Sequence, residues 1–134
     1  MRIAPIMYQV INNRHKAVVF TSLGQLRYIS ALQYVDAVVG NTSSGIVEAP
    51  SFNVGTINIG ERQKGRVQAE SIINCDSTYN SIKNGLLVIY SNGFKEKLPN
   101  IVNPYYKKNS SFNIKNVLKS IDFKDIIKKK FRDL

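Results

Sequence analysis

Apolar residues follow two alternating patterns along the first half of the chain. Four short runs rich in β-branched residues stand at positions 17–20, 37–39, 56–59 and 71–74. These runs are nearly continuous in hydrophobicity, as is typical of strands covered on both faces. Between them, positions 25–35 and 45–52 repeat apolar residues at spacings of three and four, which indicates helices. Strands alternating with helices predict an α/β fold, a Rossmann-like parallel sheet with flanking helices.

The remaining segments predict further helices and one irregular connector. Asp76 or Ser77 is expected to cap a helix that runs to about Tyr90. Positions 91–111 combine Asn, Gly, Pro and Ser, as irregular segments do. A helix is also expected at 6–13, ahead of the first strand. Doubly wound domains rarely open in this way, so we expect the chain to begin inside a domain.

The end of the chain carries most of the net charge. The 134 residues include 19 Lys and Arg against 9 Asp and Glu, a formal charge of +10. Nine of these basic and three of these acidic residues fall in 107–134. Apolar residues recur there at helical spacing: Ile114, Val117, Leu118, Ile121, Phe123, Ile126, Ile127 and Phe131. We interpret 113–134 as basic amphipathic helices packing on a domain formed by 1–112. Binding of the lysines to a polyanion or an anionic membrane is the alternative.

Composition excludes several classes of protein. A single Cys and a single His cannot form a disulfide framework or an ordinary His/Cys metal site, so we expect no metal and no cofactor. The N-terminus lacks the apolar core of a signal peptide, and no apolar run is long enough to cross a membrane. We therefore expect a cytoplasmic protein that binds neither membrane nor nucleic acid. Cys75 is interpreted as a reduced thiol in the core and His15 as a surface residue.

The segment 40–50 follows a predicted strand and begins a predicted helix. Its sequence is Gly-Asn-Thr-Ser-Ser-Gly-Ile-Val-Glu-Ala-Pro. Hydroxyls of Thr42, Ser43 and Ser44, with free N–H groups at the helix start, suit a phosphate. With Ser44 as the N-cap, Glu48 falls one position beyond a capping box. A carboxylate so near a phosphate site is unfavourable unless it binds another part of the ligand, such as ribose hydroxyls. The alternative is that one hydroxyl simply caps the helix.

A second polar segment, Gly-Glu-Arg-Gln-Lys-Gly-Arg at 60–66, follows the next predicted strand and should lie at the same sheet edge. Arg62 or Arg66 could bind a diphosphate through two nitrogens, as guanidinium geometry favours. The alternative is a solvated basic loop. The two glycines have the spacing of a P-loop, but Arg66 and Val67 replace its Lys and Ser/Thr.

Positions 22–50 and 56–66 together resemble hydrolysing UDP-N-acetylglucosamine 2-epimerases, in particular the sialic-acid and legionaminic-acid branch. That branch reads G-N-S-S-x-G-[IV]-x-E-A-P and then T-I-N-I-G-x-R-Q-x-G-R. The resemblance implies a two-domain GT-B fold, of which this chain is similar to most of the C-terminal half, truncated at its N-terminus. It also implies UDP-binding residues at Thr42, Ser43, Ser44, Glu48 and Arg62, with Tyr28 near the base and Gln63 and Arg66 in supporting positions.

The family reaction eliminates the nucleoside diphosphate after proton abstraction at C2 and then hydrates the glycal to the 2-epimer sugar. Its acids and bases lie in an N-terminal domain that is absent here, so we expect no catalytic residue and no turnover by this chain. The expected partners are the UDP-sugar, that N-terminal domain and, in a homo-oligomer, further copies. A stand-alone nucleotide- or anion-binding module is the alternative.

Overall fold

A computed structural model describes residues 16–124. Its helices are α1 (Gly24–Ala31), α2 (Ser43–Val47), α3 (Tyr79–Ile89), α4 (Asn92–Lys97) and α5 (Ser110–Ser120), its strands are β1 (Ala37–Gly40), β2 (Gly55–Ile59) and β3 (Ile72–Cys75), and its 3-10 turns are Ala49–Phe52 and Leu98–Asn100. The helix expected at 6–13, His15 and the tail from 125 onward lie outside the described residues.

The three strands form one parallel sheet in the order β1-β2-β3. Gly40 at the end of β1 pairs with Asn58, and Ile59 at the end of β2 pairs with Cys75 at the end of β3. All three carboxyl ends therefore meet at one edge, where ligands bind in open α/β sheets. The predicted fold class is confirmed.

Helices cover both faces of the sheet. On one face Ile57, which is fully buried, packs with Cys75 and with Ile89 of α3. On the other face Val38 packs against a cluster that includes Ala49, just after α2. Four of the five β2 residues are buried, which confirms the prediction of a strand covered on both faces. Cys75 is a buried free thiol, as expected.

The strand predicted at 17–20 is wrong. These residues have no regular structure, and Val18 and Phe20 are 78% and 60% exposed. A strand needs a hydrogen-bonded neighbour as well as β-branched residues. Within 16–124, β1 pairs with β2 alone.

Two details of the second half also differ from prediction. The cap of α3 is Thr78, whose side chain accepts from the Ser81 N–H at 3.3 Å, instead of Asp76 or Ser77. The segment 91–111, expected to be irregular, contains α4, which begins after Ser91. Phe94 explains this helix, because its ring packs into the core cluster around Ile57 and stabilises α4 through a tertiary contact.

The chain divides into two compact units, with the boundary between Asn103 and Pro104. Helix α5 belongs to the second unit and confirms the predicted helical periodicity over that stretch. Its residues Ile114, Val117 and Leu118 are each more than half exposed. Across 16–124, none of the helices has the length and apolar character needed to cross a bilayer.

Helix α2 approaches β2 closely at Gly45. A Cβ atom at this position would lie 2.7 Å from Thr56 Cγ2. Thr56 is 2% exposed and its Oγ1 donates to the Gly45 carbonyl at 2.8 Å, so it cannot retreat without losing that bond.

We expect Gly45→Ala to lower the free energy of unfolding by about 1–2 kcal/mol, because overpacking exceeds the gain in helix propensity. Gly93→Ala is the matched control: nothing lies within 4 Å of its Cβ position in α4, so it should be neutral or stabilising. Urea denaturation measures the free energy of unfolding of both variants. Equal stability of the two variants would contradict the tight contact.

Candidate functional site

A cavity of about 530 Å³ opens beside the start of α2, and we call it the Glu48 cavity. Its lining is Phe20, Ser22, Leu23, Gly24, Gln25, Tyr28, Thr42, Ser44 and Glu48. The structure thus brings together four of the predicted site residues from two separate segments of sequence. Tyr28 enters from α1, while the other three come from 42–48, at the carboxyl edge of the sheet.

The start of α2 lies earlier than predicted. Thr42, in place of Ser44, is the N-cap, and its Oγ1 accepts from the Ser44 N–H at 3.3 Å. The Ser44 hydroxyl is consequently available to donate to Tyr28 Oη at 2.6 Å. This bond joins α2 to α1 at the cavity wall. Because α2 has only five residues, its dipole is small, and an anion here would depend mainly on hydroxyls and nearby cations.

Glu48 is the unusual charge in this cavity. Its side chain is half-buried, and its Oε2 is buried without a hydrogen-bond partner among residues 16–124. The ion pair found within the same range joins Lys64 to Glu61 and does not involve Glu48. No cation among these residues therefore neutralises the Glu48 carboxylate. Glu48 lies at the C-cap of α2, so its carboxylate does not cap the N-terminus of that helix. A buried, unpaired carboxylate is costly, and donors from a ligand would offset that cost.

Asn103 bridges residues on both sides of Glu48. Its Nδ2 donates to the Val47 carbonyl at 2.8 Å and to Ser51 Oγ at 2.6 Å, and the residue is 7% exposed. Sequence reasoning did not assign Asn103 a role. The contact crosses more than fifty positions of sequence and has no local pattern.

Two loops meet at the carboxyl edge: the hydroxyl loop (41–44) after β1 and the arginine loop (60–66) after β2. Gln63 is 3% exposed, and its Nε2 donates to the Asn41 carbonyl at 2.8 Å. The two segments singled out in the sequence are therefore in direct contact. Arg62, next to Gln63, is exposed, and neither it nor Ser43 lines the Glu48 cavity.

A second cavity of about 430 Å³ lies between the arginine loop and the end of β3. It is lined by Asn58, Gly60, Glu61, Lys64, Gly65, Arg66, Gln68, Asn74, Cys75, Asp76 and Ser81. Asn58 Nδ2 donates to Asn74 Oδ1, and Asn74 Nδ2 donates to Gln68 Oε1, each at 2.8 Å. Arg66 lines this second cavity and does not line the Glu48 cavity.

No group of three or more His, Cys, Asp and Glu side chains within 16–124 is arranged to hold a metal ion. The groups that the carboxyl edge does offer are hydroxyls, amides, carboxylates and basic side chains. This set suits hydrogen bonding to a polyhydroxylated anion.

Residues 2–119 match the profile of a protein family described as UDP-N-acetylglucosamine 2-epimerase. The chain is 42% identical over 123 residues to the GDP/UDP-N,N'-diacetylbacillosamine 2-epimerase (hydrolyzing) of Campylobacter jejuni, an alignment that covers 91% of this chain and 32% of that protein. It is 38% identical over 106 residues to the polysialic acid biosynthesis protein P7 of Escherichia coli, covering 79% of this chain and 26% of that protein.

A third relative, the UDP-N,N'-diacetylbacillosamine 2-epimerase (hydrolyzing) of Legionella pneumophila, is 44% identical over 59 residues, covering 44% of this chain and 16% of that protein. The chain thus spans about a third or less of the length of these relatives. The family resemblance of the polar segments is confirmed by a match that extends over most of the sequence. The chain belongs to the UDP-N-acetylglucosamine 2-epimerase family.

Proposed function

We propose that this chain supplies the UDP-binding site of a cytoplasmic, hydrolysing UDP-N-acetylglucosamine 2-epimerase, while the catalytic acids and bases come from an N-terminal domain. The observation that carries the proposal is Glu48 Oε2, which is buried without a hydrogen-bond partner among residues 16–124, in a cavity shared with the hydroxyls of Thr42, Ser44 and Tyr28. A nucleotide ribose presents two neighbouring hydroxyl donors, which are the groups that such a carboxylate requires.

The ribose and base are assigned to the Glu48 cavity. Glu48 accepts from the ribose hydroxyls, and the bonded pair of Ser44 and Tyr28 forms the wall between α2 and α1. Tyr28 is half-buried, and its ring gives the base a flat apolar surface. The diphosphate is assigned to the hydroxyl loop, with Thr42 and Ser43 donating to its oxygens.

Arg62 is assigned to the phosphate side of the ligand. It is exposed and lies one residue from Gln63, whose amide holds the hydroxyl loop. Because the dipole of α2 is small, a positive side chain is needed to offset the charge of a diphosphate. Arg66 lines the second cavity, so we assign it a supporting position outside the nucleotide.

The sugar and the reaction belong to the whole enzyme. The relatives carry names for UDP- or GDP-activated diacetamido sugars and for polysialic acid biosynthesis. We therefore propose an N-acetylated amino sugar of a sialic- or legionaminic-type pathway as the substrate. The nucleotide is released by elimination, and water adds to the glycal, with chemical groups contributed by the N-terminal domain. Assembly of the whole enzyme into a homo-oligomer is part of the proposal.

Calorimetric titration tests the binding role. We expect the chain to bind UDP weakly. It should nevertheless bind UDP more tightly than pyrophosphate, because the ribose and base add contacts in the Glu48 cavity. Equal affinity for UDP and pyrophosphate would favour a stand-alone anion-binding module instead. Incubation with UDP-N-acetylglucosamine should release no UDP in the steady state. Sustained release would contradict the assignment of catalysis to the N-terminal domain.

A further inference from the structure

Gln63 is a buried amide within an otherwise largely exposed loop. Its side chain is 3% exposed, whereas its neighbours Arg62 and Lys64 are exposed. Its Nε2 donates to the main-chain carbonyl of Asn41 at 2.8 Å, across 22 positions of sequence. Among residues 16–124, this is the side-chain hydrogen bond that joins the hydroxyl loop to the arginine loop. We propose that Gln63 is a positioning residue that holds these two loops in one arrangement for a diphosphate, without contacting the ligand itself.

The contact acts on Thr42 through the peptide group. The peptide bond between Asn41 and Thr42 is trans, so the carbonyl that Gln63 holds and the N–H of Thr42 point in opposite directions. Fixing the carbonyl therefore fixes the Thr42 N–H. Thr42 also caps α2 through the Ser44 N–H. One amide thus sets the orientation of the residue to which we assign the diphosphate.

The stability of the fold alone does not explain this amide. Gln63 Oε1 is buried without a hydrogen-bond partner among the described residues, so only half of the amide is satisfied. Asn41 is an exposed residue, and we expect water to replace Gln63 at its carbonyl. An apolar side chain at 63 should therefore be tolerated by the fold. What it would remove is the link between the loops.

The inference rests on the proposed function, and Gln63→Met tests it in the full chain. We expect the variant to unfold at nearly the wild-type temperature and to bind UDP about tenfold more weakly, because the hydroxyl loop is no longer held against the arginine loop. Its Thr42 amide resonance should also shift in a nitrogen–proton spectrum, since loss of the bond at the Asn41 carbonyl changes the polarisation of that peptide. Gln63→Leu, which is also apolar and lacks the donor, should give the same two changes.

Gln68→Met is the matched control. Gln68 is a hydrogen-bonded amide just after the arginine loop, and its partner is Asn74 instead of the hydroxyl loop. The Gln68→Met substitution should leave the UDP affinity and the Thr42 resonance unchanged. If the wild-type chain binds UDP and both Gln63 variants bind it equally well, the inference is overturned and the proposed function stands. If the wild-type chain binds no UDP, the proposed function fails and the role of Gln63 fails with it.

Discussion

Glu48→Ala should weaken the binding of UDP by about 10- to 100-fold, the loss expected when charge-assisted hydrogen bonds to a ligand are removed. The UDP affinity of Glu48→Gln should lie between those of the wild type and Glu48→Ala, because a neutral amide oxygen is a weaker acceptor than a carboxylate oxygen. The expectation follows from the position of Glu48 Oε2, which is buried and has no partner among the described residues. Calorimetric titration with UDP measures the effect.

The same variant should not destabilise the free chain. Glu48→Ala removes a carboxylate that is partly buried and unpaired, so the free energy of unfolding without ligand should be unchanged or higher. Glu70→Ala removes the same charge from an exposed position outside the Glu48 cavity and should leave the UDP affinity unchanged. Loss of stability together with loss of affinity would indicate that Glu48 supports the fold instead of binding the ligand.

The ribose assignment can be separated from a general effect of charge. The wild-type chain should bind 2′-deoxy-UDP more weakly than UDP, because Glu48 loses one of its two donors. In Glu48→Ala this preference should disappear, since no carboxylate remains to distinguish the two nucleotides. A preference that persists at full size in the variant would assign the ribose to another residue.

The sequence singles out Glu48 as a carboxylate outside a capping box, but it does not give the correct start of the helix. Glu48 was identified because no capping box accounts for it, and this holds in the structure, where it stands at the C-cap. Thr42 and Ser44 are both good N-caps by type, so local propensity could not choose between them. The choice follows from the tertiary structure, in which the Ser44 hydroxyl is bound to Tyr28, sixteen positions earlier.

Long-range contacts also explain the other differences. The residues at 17–20 have strand propensity, yet no strand forms there because they have no paired neighbour within 16–124. Helix α4 has Asn92 and Gly93 in its first turn, both poor helix formers, and Phe94 packs into the core through contacts that no local pattern reveals. Gln63 is of a type usually found on the surface, and only its contact with Asn41 accounts for its burial.

Ile57→Ala should lower the free energy of unfolding by about 2–5 kcal/mol, because it leaves a cavity in the centre of the sheet. Ile57 is fully buried and packs with Cys75 and Ile89. Ile57→Val should lose only about 0.5–1.5 kcal/mol. Leu87→Ala, at a position 63% exposed on α3, is the control and should change stability by no more than about 0.5 kcal/mol. Urea denaturation measures all three variants.

Titration of these variants with UDP connects the core with the site. Ile57 lies on the face of the sheet covered by α3, whereas α2 and the Glu48 cavity belong to the opposite face. At about 100 times the wild-type Kd, UDP should stabilise the wild type and Ile57→Ala equally, by about 2.7 kcal/mol. It should stabilise Glu48→Ala by about 1.4 kcal/mol or less, because that variant binds at least tenfold more weakly. If UDP stabilises Ile57→Ala less than it stabilises the wild type, packing on the α3 face of the sheet influences the geometry of the carboxyl edge. The two faces would then not be independent.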